Sequence, residues 1–75
     1  MKGMVVQSEY KDEMGIQYTL LVGNNAMAAL TMTDTDSGGV VAVYTGVESI
    51  IRAKYRALVH KVAALELLAA AQSNQ

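Results

Sequence analysis

Seventy-five residues allow one small domain with a thin core, and the absence of cysteine excludes both disulfide stabilisation and a cysteine-ligated metal site. A formal charge of −1 excludes a global attraction to nucleic acid. Hydrophobic residues make up 52% of the chain, yet phenylalanine and tryptophan are absent, so the core is built from Val, Ile, Leu, Met and Ala with four tyrosines as the aromatic bulk.

The first predicted element is a strand over 4–10, with Met4, Val6 and Tyr10 assigned to one face and Val5, Gln7 and Glu9 to the other. Lys11-Asp12-Glu13-Met14-Gly15 follows as a hairpin loop ending on glycine. The clearest strand pattern spans 16–22, where Ile16, Tyr18, Leu20 and Val22 share one face and Gln17 and Thr19 take the other. Gly23-Asn24-Asn25 tolerates positive φ and predicts a tight hairpin turn.

Residues 26–33 carry two signals. Ala26-Met27-Ala28-Ala29-Leu30 favours helix and Asn25 can cap one, whereas Leu30-Thr31-Met32-Thr33 alternates as a strand. A two-turn helix there would leave the preceding hairpin without a third neighbour, so the segment is read as a strand. Asp34 to Gly39 reads as an exposed turn. Val40 to Tyr44 is a short, nearly continuous apolar strand, which suits burial on both faces or an interface edge.

The last element is the longest. Thr45 followed by Glu48 predicts a capping box, and no glycine or proline occurs from Val47 onward. A helix over about 46–72 follows. The predicted fold is therefore α+β: an antiparallel β-meander of four strands (4–10, 16–22, 26–33, 40–44) packed on one long C-terminal helix, in a single domain over 1–75.

Ile51, Tyr55, Leu58, Val62, Leu65 and Ala69 form a seam with 4, 3 spacing, and Ile50, Ala53, Ala57, Ala64, Leu68 and Ala71 form a second apolar stripe beside it. Together they span roughly twice the ~100° that a surface helix buries. A helix of that length reaches about 39 Å, against a diameter of about 30 Å for a compact body with a radius of gyration near 11 Å. Its last turns, Leu65 to Ala71, are expected to project beyond the core and to be covered by a partner. The predicted interface is Tyr55, Ala64, Leu65, Leu67, Leu68 and Ala71.

Charge is divided along the chain. Lys2 and Lys11 stand against five carboxylates before residue 48, while Arg52, Lys54, Arg56 and Lys61 stand against Glu48 and Glu66 after it. Arg52, Arg56 and His60 are spaced four apart on one helix face and Lys54 and Lys61 seven apart on another, and Arg52, Lys54, Arg56 and Lys61 can contact phosphates or an acidic partner. As a plain solvated face, the same residues cover apolar surface with their stems.

No arrangement supports catalysis. His60 is the one histidine, and nucleophilic chemistry needs a serine and a carboxylate placed around it. Asp34-x-Asp36-x-Gly38 opens like a calcium loop, but Gly38 and Thr45 stand where ligands are required. Neither a metal nor a cofactor is expected. The N-terminus lacks the pattern of a signal peptide and no run of 18 apolar residues occurs, so a cytoplasmic protein is expected, with no membrane contact.

The functional expectation is a small non-enzymatic protein-protein interaction module. It would be a dimeric adaptor, or an inhibitor that occludes a larger protein through its helix and sheet, as phage or mobile-element inhibitors of host systems do. The alternative is a small nucleic-acid-binding or regulatory protein that uses the basic helix face.

Overall fold

The computed structural model describes residues 3–73, with side chains through residue 72. Met1 and Lys2, where the signal-peptide reading begins, lie outside the described residues. The order is β1 (Val5–Lys11), β2 (Ile16–Val22), β3 (Met27–Asp34), β4 (Val40–Val47) and α1 (Glu48–Ser73). The strands form one antiparallel sheet in the order β1-β2-β3-β4. The α+β meander with one long C-terminal helix is the observed architecture.

Turn chemistry fixes this order. Asp12 organises the first hairpin, its Oδ1 accepting from the amides of Met14 at 3.0 Å and Ile16 at 2.9 Å. Gly15 closes that loop at φ +90°, where a side chain would be strained. The second hairpin turns through Asn25 (φ 61°) and Ala26 (φ 60°), and the Met27 amide returns to the Asn24 carbonyl at 3.3 Å. Two consecutive positive φ values are those of a type I′ turn, whose twist matches the flanking strands. That turn decides the ambiguous segment. Ala28, Ala29 and Leu30 pair with Val22, Leu21 and Leu20, so the alanine-rich run is strand despite its helical propensity.

Several boundaries, among them those of β3 (27–34 against 26–33), and one face assignment differ from the sequence reading. β4 continues to Val47, Gly46 pairing with Ala28 and Val47 with Met27, and the helix starts at Glu48 rather than Gly46. The predicted capping box does not form. The Glu48 amide donates to the Ala26 carbonyl at 2.7 Å, and the Glu48 carboxylate accepts from Arg52 Nε at 2.7 Å. Extending the ladder satisfies backbone groups on both strands, which leaves Thr45 paired with Ala29 and unable to turn back as a cap. β1 begins and ends one residue later than predicted and carries a bulge between Val6 and Ser8. The bulge shifts the alternation, so Val6 opposite Leu21 and Tyr10 opposite Tyr18 lie on different faces of the sheet.

One face of the sheet carries the core. Tyr18, Leu20, Ala28 and Leu30 are buried against Ile51, and Tyr10, Val22, Met32, Tyr55, Leu58 and Val62 close around them. Gly46 lies under the Ile51 side chain where the chain passes from β4 into the helix. From there α1 crosses toward the β1–β2 hairpin, where Glu66 accepts from the Tyr10 hydroxyl at 2.7 Å and from the Glu13 amide at 2.6 Å. The opposite face of the sheet has no layer over it among the described residues. The radius of gyration is 13.9 Å and the extents are 50 × 27 × 15 Å, whereas a compact chain of this length would have a radius near 11 Å. The protein is a thin two-layer plate with a projecting helix.

Candidate interaction surface

Among the described residues, apolar surface is exposed in three broad regions besides single side chains such as Met14.

The first is the outward side and distal end of α1. Ile51, Tyr55, Leu58, Val59 and Val62 face the sheet, so the stripe one step around the helix faces away from it. Ile50 is 66% exposed, and Ala53, Ala57 and Ala64 are exposed along the same side. Toward its end the helix runs beside the first hairpin, Glu13 sharing a groove with Leu67 and Ala70 and Met14 one with Leu65 and Ala69, and its other sides stay open. Leu67 is 73% exposed, with Leu65 and Leu68 also open and Ala71 exposed at the end of the stripe. Five of the six residues predicted as an interface, Ala64, Leu65, Leu67, Leu68 and Ala71, thus lie on the exposed distal half. Tyr55 does not join them: it is half-buried at the core margin, where burial first and the charge of Glu9 second push its phenol pKa up.

Glu66 was not singled out by sequence. Its carboxylate anchors the helix to β1 and to the hairpin loop. The Tyr10 and Tyr18 rings sit 6.1 Å apart beside it, and the Tyr18 hydroxyl donates to Asp12 Oδ2 at 3.1 Å. Both phenols are held protonated. The hydrogen bond to Glu66, followed by burial and the surrounding carboxylates, pushes Tyr10 up to about 12. Burial, followed by the bond to Asp12, raises Tyr18.

The second region is the far face of the sheet. Strand pairing places Val6, Leu21, Ala29 and Thr45 in one row across it and Glu9, Thr19, Thr31 and Val43 in the next. Met27, Val43 and Val47 are each about half exposed there. From β2 to β4 this face bears no charged side chain; the charges come from Glu9 and Lys11 on β1 alone.

The third region is the β4 edge. Val40, Val41 and Val43 are all more than half exposed, and the strand contains no charged residue.

The residues of the predicted basic set stand in different surroundings. Arg52 is ion-paired to Glu48 within the helix, and the Lys54 ammonium sits 4.3 Å from the centre of the Tyr44 ring. Arg56, His60 and Lys61 line a shallow depression with Ala53 and Ala57 on the outward side of the helix. On the β1 side, Ser8 and His60 line a common groove with Arg52, Tyr55 and Arg56. A carboxylate behind the imidazole is missing from that groove, so the hydrolytic arrangement lacks the group that orients its base. In the β3–β4 turn, Asp34 Oδ1 accepts from the Asp36 amide at 3.0 Å, a local turn bond. Among the described residues, no three His, Asp or Glu side chains converge in a way that could hold a metal ion, and no helix is long and apolar enough to cross a membrane.

Comparison with protein-family models, curated proteins and solved structures finds no match to this chain.

Proposed function

We propose that the protein is a small non-enzymatic interaction module. It associates with a second copy and docks on a larger protein, as an adaptor or as an inhibitor that occludes the partner's surface. The observation that carries the reading is the exposure of Leu65, Leu67 and Leu68 on a helix already anchored at Glu66. The anchor matters because a disordered tail would lose conformational entropy on binding, whereas an ordered helix presents its leucines with much of that cost already met. Ala64, Leu67 and Leu68 stand at i, i+3 and i+4, with Leu65 three residues before Leu68, and apolar side chains at such spacings are a recurring form for insertion into a groove of another protein.

The rim of this surface is basic. Arg56, His60 and Lys61 border the outward stripe, so the matching surface has an apolar centre and acidic margins. Acting in a cytoplasmic setting as an inhibitor of a host complex is the concrete biological version of this reading.

The test is capture of partners from the native extract by the wild type and by a Leu65→Asp/Leu68→Asp variant side by side. The reading predicts specific partners that the variant loses, with binding that persists as salt is raised. Capture of nucleic acid instead, with affinity falling steeply with salt and unaffected by the leucine changes, would favour phosphate binding through Arg52, Lys54, Arg56 and Lys61.

A further inference from the structure

The two edges of the sheet are not equivalent, and the difference identifies where a second copy fits. β1 is interrupted by the bulge at Gln7 and carries Glu9 and Lys11, features that discourage strand pairing. β4 has its irregularity at one end only, between its pairings Val40↔Thr33 and Ala42↔Met32. It then runs regularly from Ala42 to Val47 without a charge.

The direction of its backbone groups follows from two hydrogen bonds. The Glu48 amide bonds to the Ala26 carbonyl, and the Asp34 amide bonds to the Gly39 carbonyl. In an antiparallel ladder, bonds in those positions flank non-hydrogen-bonded pairs, so Met27↔Val47 and Thr33↔Val40 are pairs of that kind. Counting inward from Val47, Gly46, Tyr44 and Ala42 exchange bonds with β3. Val43 and Thr45 therefore direct their N–H and C=O groups away from the sheet. No further strand follows β4 in the order of the sheet.

We propose that β4 of one copy pairs antiparallel with β4 of a second copy about a two-fold axis, joining two four-stranded sheets into one continuous sheet. This deepens the interaction-module reading by assigning the surface on which the second copy sits. Self-pairing is the favoured occupancy for three reasons. An edge without charge meets its own copy with no like charges opposed along the strand. Each chain offers a single suitable edge, so pairing closes at two copies, whereas β4-to-β1 pairing would extend without limit and is opposed by the bulge and charges of β1. Finally, only six of the described side chains are buried in the monomer, and a joined sheet shelters Val41, Val43 and Tyr44, which the monomer leaves open. The two helices then lie on the same face of the joined sheet, and their distal leucines remain available to another protein.

The experiment is molar mass by light scattering at tens of micromolar, with circular dichroism as a check on folding. Val43→Pro removes an N–H that points away from β3, so the internal ladder keeps its bonds while the edge loses a donor. The proposal expects a wild-type mass of two chains and a folded, monomeric Val43→Pro, with Val43→Lys acting in the same direction. Hydrogen exchange gives a readout independent of any variant. In the wild type the Val43 and Thr45 amides should exchange on the order of 100-fold more slowly than an open edge permits. A monomeric wild type, or edge amides that exchange freely, would overturn the proposal. So would a Val43→Pro that stays dimeric while Leu65→Asp/Leu68→Asp becomes monomeric. That last result moves the second copy to the helix and leaves the interaction-module reading standing.

Discussion

The Tyr10 hydroxyl donates to Glu66 Oε1 at 2.7 Å, joining the first strand to a helix residue 56 positions later in the chain. The bond holds the phenol protonated and pushes its pKa from 10.0 up to about 12. A folded-state pKa above the unfolded value contributes stability that is complete below the unfolded pKa and is lost as pH rises through the folded one. Thermal melts of the wild type should therefore show a midpoint that falls as pH is raised from about 10 to about 12. Tyr10→Phe should fall less steeply over that interval, the remaining slope coming from Tyr18 and Tyr55, whose pKa values are also raised. Parallel losses in the two proteins would show that Tyr10 plays no part.

Glu66 also ties the distal helix to the first hairpin. Glu66→Ala removes the acceptor for both Tyr10 and the Glu13 amide. Amides from Ala63 to Ala71 should then exchange faster, while those of β2 and β3 keep their protection. Equal acceleration across the sheet would mean that the carboxylate supports the whole fold, not the distal helix.

Ala26 is a non-glycine residue at φ 60° in a type I′ turn that favours Asn-Gly. The left-handed region costs an L-residue roughly 1–2 kcal/mol that glycine does not incur. Ala26→Gly is expected to raise stability by about 1 kcal/mol after glycine's greater unfolded-state freedom is allowed for. For a domain of this size that corresponds to a Tm increase of about 4–8 °C. Calorimetry provides the check, and an unchanged or lower Tm would contradict the turn assignment.

Leucines in the two halves of the molecule should respond to truncation to very different degrees. Leu30 is fully buried at the centre of the core, and Leu30→Ala should cost about 2–5 kcal/mol, enough to unfold so small a domain in part or completely. Leu67 is 73% exposed, and Leu67→Ala should change stability by no more than about 0.5 kcal/mol under dilute conditions. Denaturant titrations of both variants, read against each other, separate core from surface.

Periodicity was enough to place the elements. The alternation of Ile16, Tyr18, Leu20 and Val22 marked the core face of β2, and the seam from Ile51 to Val62 marked the seated face of the helix. What misled were signals whose meaning depends on tertiary partners. Thr45 and Glu48 have capping-box spacing, but Gly46 and Val47 gain more from Ala28 and Met27 on β3. The bulge at Gln7 carries no glycine or proline to announce it, and it moves Val6 to the face opposite Tyr10. Glu66 and Tyr10 are too far apart in sequence for any local rule to pair them. The exposure of the distal leucines was legible from helix length and the width of the apolar surface. The open far face of the sheet was not, because alternation within one strand does not say whether a second layer covers it.

As proposed, this thin plate is completed by another protein surface, first of all its own. Molar mass across a concentration series is the most direct test. A chain of 8.0 kDa should scatter as two chains at tens of micromolar and dissociate on dilution, with little dependence on salt. A mass that stays at one chain throughout, from a protein that also captures nothing sensitive to Leu65→Asp/Leu68→Asp, would contradict the account.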